Sequence, residues 1–140
     1  RGGGFFFYVI YNTHMQKTGV IFAIIRDNKI LMQQRDGNCK RFPFMWCLPG
    51  GARDDGEQYE DTLVREVKEE YNLDIKFEDC IHLMDYNDGA DKVYACKIDS
   101  NQEPKLQEGL AMKWMTIEEI EKTKLGFNQE GIIPVLKKVV

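Results

Sequence analysis

The sequence has little of what would mark a zinc-bound, disulfide-linked or nucleic-acid-coating chain. It holds two histidines and four cysteines in 140 residues. The cysteines stand at 39, 47, 80 and 96 and form no Cys-x-x-Cys pair, and only His14 and His82 could join them in a zinc site. Free thiols in a reducing cytoplasm are the expectation. No apolar run approaches the ~20 residues needed to cross a bilayer. The formal net charge of -4 offers no basic face to a nucleic-acid duplex. An anionic small ligand stays open to it, provided cations come between. Repeats, linkers and low-complexity tracts are also lacking, which excludes solenoids and tethered arrays.

What is present suits an ordinary globular domain: 43% hydrophobic and 30% charged residues. The length suits one core. The chain opens on Arg1, and "RGGGFFFYVIYNTHM" has too short an apolar core for a signal peptide. Residues 1–16 read as an extension, either an extra strand or an appended foreign segment, and residues 17–140 as the domain.

Gly19 to Arg26, "GVIFAIIR", is β-branched and apolar, as a buried strand is. Asp27-Asn28 turns the chain into a partner strand, "KILMQQR". Residues 36–45 form a polar loop, and in "WCLPGG" Pro49 and the glycines end any regular element. Residues 57–71 predict a helix with Leu63, Val64, Val67 and Tyr71 on one stripe. "IKFEDCIHLMDY" and "KVYACKID" predict a hairpin turning at Asn87-Asp88-Gly89. A short strand ends near Trp114-Met115, and Thr116 with Glu119 predicts a capping box for another helix. "NQEGIIPVLKKVV" predicts a closing helix that Pro134 must start late or kink. Interleaved strands and helices with two hairpins predict an α/β fold, a mixed sheet with helices on its faces.

The chemistry concentrates in Arg65-Glu66-Val67-Lys68-Glu69-Glu70. Residues three and four apart share a helix face, so Glu66, Glu69 and Glu70 project together. Each like-charged pair costs roughly 0.2–0.5 kcal/mol in an isolated helix. A divalent cation reverses that sign, and carboxylates suit magnesium, manganese or calcium. A solvated acidic face is the plain alternative. Glu57 lies where it can pair with Arg65, and Gly50 and Gly51 permit a close backbone approach to an ion.

Gly51, five residues, Glu57, seven residues, then Arg65 to Leu73 resembles the signature of the Nudix hydrolase family. The family expects glycine where Asn72 stands, and asparagine is the next choice for a left-handed helix end. Gln58-Tyr59 replaces the more usual Ser or Thr cap. The flanking "TGVIFAIIRDNKILMQQR", "WCLPGG" and "EPKLQEGLAMKWM" extend the resemblance over about residues 17–138, toward the MutT-type branch.

The resemblance implies the Nudix fold, an α/β/α sandwich, and divalent-metal-dependent hydrolysis of a nucleoside triphosphate to monophosphate and pyrophosphate. An oxidised purine such as 8-oxo-dGTP is among that branch's substrates. It implies Glu66, Glu69, Glu70 and Glu108 as ligands of magnesium or manganese, with the Gly50 or Gly51 carbonyl assisting. Glu69, Glu70 or Glu108 is the general base, and Arg65 with Glu57 is an orienting pair. Arg35 and Asn128 stand at nucleotide-reading positions, with a strand-end arginine and a helix N-cap as the plain alternatives. Leu48 stands where some relatives carry a stacking aromatic, which weakens the expectation of oxidised-guanine selectivity. Trp46 or Phe44 is the candidate replacement. Hydrolysis of ADP-ribose or a dinucleoside polyphosphate, and a non-catalytic nucleotide-binding module, are the alternatives. A nucleotide is the expected partner, without duplex nucleic acid or membrane.

Overall fold

The computed structural model describes residues 17–140. The reading of residues 1–16 as an extra strand or foreign segment lies outside the described residues. Two strands open the described chain, β1 (Gly19–Arg26) and β2 (Lys29–Gln34), joined by a tight turn in which Asp27 and Asn28 are both left-handed. Such a turn matches the twist of a two-residue hairpin. Short strands β3 (Trp46–Cys47) and β4 (Gly50–Ala52) follow. The expectation that Pro49 and the glycines end regular structure is therefore corrected. Gly50 and Gly51 pair with Ile21 and Val20 of β1 because glycine lets two backbones approach.

Helix α1 (Tyr59–Tyr71) carries the acidic run, and β5 (Cys80–Tyr86), β6 (Asp91–Lys97) and β7 (Ala111–Met115) complete the strands. β5 starts later than predicted, because Phe77–Asp79 is a 3₁₀ turn. The β5–β6 turn falls where expected, with Asn87, Asp88 and Gly89 all at positive φ. Helix α2 (Ile117–Glu121) has the predicted capping box: Glu119 N–H donates to Thr116 Oγ at 3.1 Å and Thr116 N–H to Glu119 Oε1 at 2.9 Å.

The predicted closing helix is corrected. Gly126–Ile132 is a 3₁₀ segment broken by left-handed Phe127 and Asn128, and only Ile133–Leu136 is α-helical, as α3. Pro134 sits in its first turn, where its missing N–H costs nothing.

The sheet runs β3-β2-β1-β6-β5, with β4 on β1 and β7 on β2. β1 and β6 are parallel and the other pairs antiparallel, so the mixed sheet is as expected. Alternation along β1 builds both faces. Val20, Phe22 and Ile24 meet Leu63, Val67 and Tyr71 of α1. Ile21, Ala23 and Ile25 meet Ile120, Leu125, Ile132 and Leu136. Leu63 and Val67 are fully buried, and each contributes about 1.5–3 kcal/mol by that burial. Packing therefore fixes α1 against β1 and turns its acidic edge toward β4.

Candidate active site

Helix α1 is positioned at both ends by polar devices. At its start, Asp61 at the third helical position accepts the Gln58 N–H at 3.0 Å, the reciprocal bond of a capping box. At its end, Asn72 is left-handed (φ 56°) and donates to Lys68 O at 2.9 Å, as the sequence predicts. Two further carbonyls of the last turn accept from a later segment: Lys105 N–H reaches Tyr71 O at 2.8 Å and Gln107 N–H reaches Glu70 O at 3.0 Å. That pairing satisfies helix-end acceptors and sets Glu108 beside Glu70.

Arg65 organises the acids. Its Nε donates to Glu57 Oε2 at 2.7 Å and its Nη2 to Glu57 Oε1 at 2.9 Å, a bidentate fork. The same guanidinium reaches Glu66 Oε2 at 3.0 Å, Glu69 Oε2 at 3.2 Å and the Ala52 carbonyl at 3.0 Å. Glu57 also accepts from Asp54 N–H and Thr62 Oγ. Its carboxyl is held down at about 2, chiefly by the Arg65 bond.

Glu66 and Glu70 are buried. The Glu66 carboxyl lies where a Cβ of residue 51 would be, so only glycine there leaves it room. Burial, with Glu69 adding repulsion, pushes the Glu66 carboxyl up to about 7 despite Arg65. Burial also raises Glu70, with Glu108 and Glu69 adding to it and the Gln33 hydrogen bond opposing it. One guanidinium does not balance this cluster, which is short of positive charge.

A cleft of about 820 Å³ adjoins these groups. Of the predicted residues, Gly50, Gly51, Glu70, Glu108, Arg35 and Leu48 line it. Glu66 reaches its edge through Gly51. Glu69 is exposed and tied to Arg65, and Glu57 and Arg65 stand behind the cleft. Asn128 is exposed and does not line it, and its carbonyl accepts the Tyr86 hydroxyl. Trp46 packs against the layer under α2 and α3, and Phe44 is exposed. The aromatic in the cleft is Phe127, with the Arg35 guanidinium 4.7 Å from its ring centre. Cys39 and Cys47 line the cleft as well, and burial raises the Cys47 thiol to about 11. His82 is a strand residue bonded to Asp85 at 2.9 Å.

Two glutamines belong to the site although the sequence alone does not single them out. Gln33 Nε2 donates at 2.9 Å both to Glu70 Oε1 and to the Glu108 carbonyl. Gln129 clasps Leu48, accepting its N–H at 2.7 Å and donating to its carbonyl at 3.1 Å. Gln33 follows the buried run Ile30-Leu31-Met32, and Gln129 lies between buried Leu125 and Ile132. A buried polar residue at such a place asks for a partner.

The fold and this geometry agree with what the chain resembles. The NUDIX domain family model matches residues 15–136, and the chain belongs to that family. It is a Nudix-class pyrophosphohydrolase. Nucleoside triphosphatase NudI of Enterobacter sp. (strain 638) is 28% identical over 142 residues, covering 85% of this chain and all of that protein. An ADP-ribose pyrophosphatase of Methanocaldococcus jannaschii is 41% identical over 66 residues, but these are 45% of this chain and 37% of that protein. Among solved structures, a MutT NUDIX hydrolase from Burkholderia pseudomallei superposes with a TM-score of 0.68 at 25% identity, covering 89% of this chain and 98% of that one.

Proposed function

We propose that this chain hydrolyses a nucleoside triphosphate to the monophosphate and pyrophosphate, with magnesium or manganese held on α1. The observation that carries the reading is one continuous cleft joining Glu70, Glu108 and the Gly50-Gly51 strand to Arg35, Phe127 and Gln129. Its acidic end suits a cation–polyphosphate assembly, and its other end offers an aromatic ring, a cation and amides, as a base requires.

The donor set fits a hard divalent cation. It consists of carboxylates and a close backbone strand: Glu70 is buried beside Glu69 and Glu108, and buried Glu66 shares the single Arg65 guanidinium with Glu57 and Glu69. Among the described residues, no three acidic, histidine or cysteine side chains converge as they stand. Arg65 and Gln33 hold the acids in place. The Arg65–Glu69 bond, the longest Arg65 makes to these glutamates, is the one that Glu69 would give up to help hold an ion. When bound, such an ion neutralises phosphate oxygens and acidifies water.

The chain's own groups do the rest. Glu69, Glu70 and Glu108 are the candidates for taking the proton of the attacking water. Gln33 fixes Glu70 relative to Glu108, and Arg65 with Glu57 fixes α1. Arg35 and Phe127 receive the nucleoside, and Gln129 shapes the wall by holding Leu48.

The similarity to the archaeal ADP-ribose pyrophosphatase favours a second reading, cleavage of a nucleoside diphosphate linked to a second group. A panel of triphosphates, including 8-oxo-dGTP, beside ADP-ribose and dinucleoside polyphosphates separates the two. With magnesium present, pyrophosphate and monophosphate from a triphosphate are the expected products. Cleavage confined to ADP-ribose moves the assignment to the second reading, and no cleavage of any member overturns both.

A further inference from the structure

The end of the β5–β6 pair away from the turn carries an arrangement that the cleft does not use. Cys80 opens β5, and Cys96 stands directly across from it on β6. Their Sγ atoms are 2.8 Å apart and share a hydrogen bond. Directly opposed residues of an antiparallel pair have Cα atoms about 4.5–5.5 Å apart, inside the range a disulfide spans. The pair therefore stands within bridging range. Cys96 is 1% exposed, whereas Cys80 is half-buried. Both line a second cleft, of about 340 Å³, with Lys76 and Lys97. A small reagent reaches Cys80 through it. The bond from Cys96 holds the Cys80 thiol below its ordinary range, while the same bond and burial push Cys96 up. The thiolate is the nucleophile in exchange, so Cys80 is the member that attacks.

We propose that Cys80 and Cys96 form a reversible dithiol–disulfide site, with Cys80 attacking a small-molecule disulfide and Cys96 resolving the adduct. In the first step the Cys80 thiolate bonds to one sulfur of the small disulfide. That disulfide's S–S bond breaks, and one small thiolate leaves and takes up a proton. In the second step Cys96 loses its proton and attacks the Cys80 sulfur. The Cys80–Cys96 bond forms, the mixed bond breaks and the second small thiol leaves. Two protein thiols are oxidised, and one small disulfide is reduced to two thiols. The bridge closes a loop between residues 16 apart, which restricts the unfolded chain.

The test treats the full chain with oxidised glutathione, blocks the remaining thiols with iodoacetamide and digests without reduction. Mass spectrometry is expected to find a Cys80–Cys96 linked peptide that dithiothreitol reverses. Tm is expected to rise by roughly 5–10 °C on bridging. In Cys96→Ala the adduct has no resolving thiol, so glutathione is expected to stay on Cys80 with no rise in Tm. Recovery of both cysteines alkylated, retention of glutathione on wild-type Cys80, or linkage to Cys39 or Cys47 overturns the proposal. A bridged chain with unchanged Tm overturns the stabilisation expected from closing that loop.

Discussion

Gly51 and Glu66 share one volume: a Cβ on Gly51 would overlap the Glu66 carboxyl. The obstacle is the far end of a flexible side chain, so the fold can yield where the site cannot. Gly51→Ala is expected to keep Tm within a few degrees while lowering kcat/KM by roughly a hundredfold, because the carboxylate must leave its place. Gly50→Ala makes the contrast, since its Cβ would meet the Val20 backbone carbonyl. That overlap is expected to cost about 1–3 kcal/mol of stability. Thermal melts beside steady-state kinetics check the pair. Equal activity in Gly51→Ala and wild type would remove Glu66 from the proposed metal set.

Arg65 engages Glu57, Glu66, Glu69 and the Ala52 carbonyl at once. An ammonium group cannot reproduce that planar fork. Arg65→Lys is expected to lower kcat by roughly a hundredfold through misplaced carboxylates. The charge is unchanged, so the loss reports geometry. Steady-state kinetics at saturating substrate and magnesium check it. A wild-type kcat in Arg65→Lys would show that Arg65 only balances charge.

How legible the site is in the sequence follows from how local each contact is. The acidic run, the Glu57–Arg65 pair and the Asn72 helix end lie within one segment of chain, where helical spacing fixes who meets whom. The Thr116 capping box is local for the same reason. Gln33 meets Glu70 across 37 positions, and Gln129 meets Leu48 across 81. No periodicity encodes those contacts, which exist because β2, β3 and the closing segment converge. The closing segment has the apolar spacing of a helix, but Phe127 and Asn128 take left-handed conformations that break the period. That break moves residue 128 out of the cleft and residue 129 into it.

The same shift gives a direct comparison of neighbours. Gln129 is buried and satisfies both the N–H and the carbonyl of Leu48. Gln129→Leu leaves those two groups unpaired, which is expected to cost about 1–3 kcal/mol and to raise KM by widening the wall. Asn128→Asp keeps a residue tolerant of the left-handed conformation. It is expected to leave KM within about twofold, because the side chain is exposed and outside the cleft lining. Urea unfolding and KM for the best nucleotide check both. A large rise in KM in Asn128→Asp would restore residue 128 as the base reader.

The buried Glu66 carboxyl predicts opposite pH responses for stability and for cation binding. Its native value is pushed up to about 7 by burial and by Glu69, against about 4.3 in the unfolded chain. Between those values the native state holds the extra proton, so stability of the metal-free protein falls as pH rises through that window. Glu70 is raised too and acts in the same direction. The Glu57 carboxyl, held at about 2, contributes stability that is present above about 4.3 and lost as pH falls through 2. Magnesium must displace the Glu66 proton, so its affinity is expected to rise by about tenfold from pH 6 to pH 8. Calorimetric titration of magnesium, with thermal melts in chelator, checks both trends, and Glu66→Gln is expected to flatten both. A metal-free Tm that climbs between about pH 5 and pH 7 would show that Glu66 is ionised at rest and already matched by Arg65, leaving a cation at that carboxylate without its electrostatic reason.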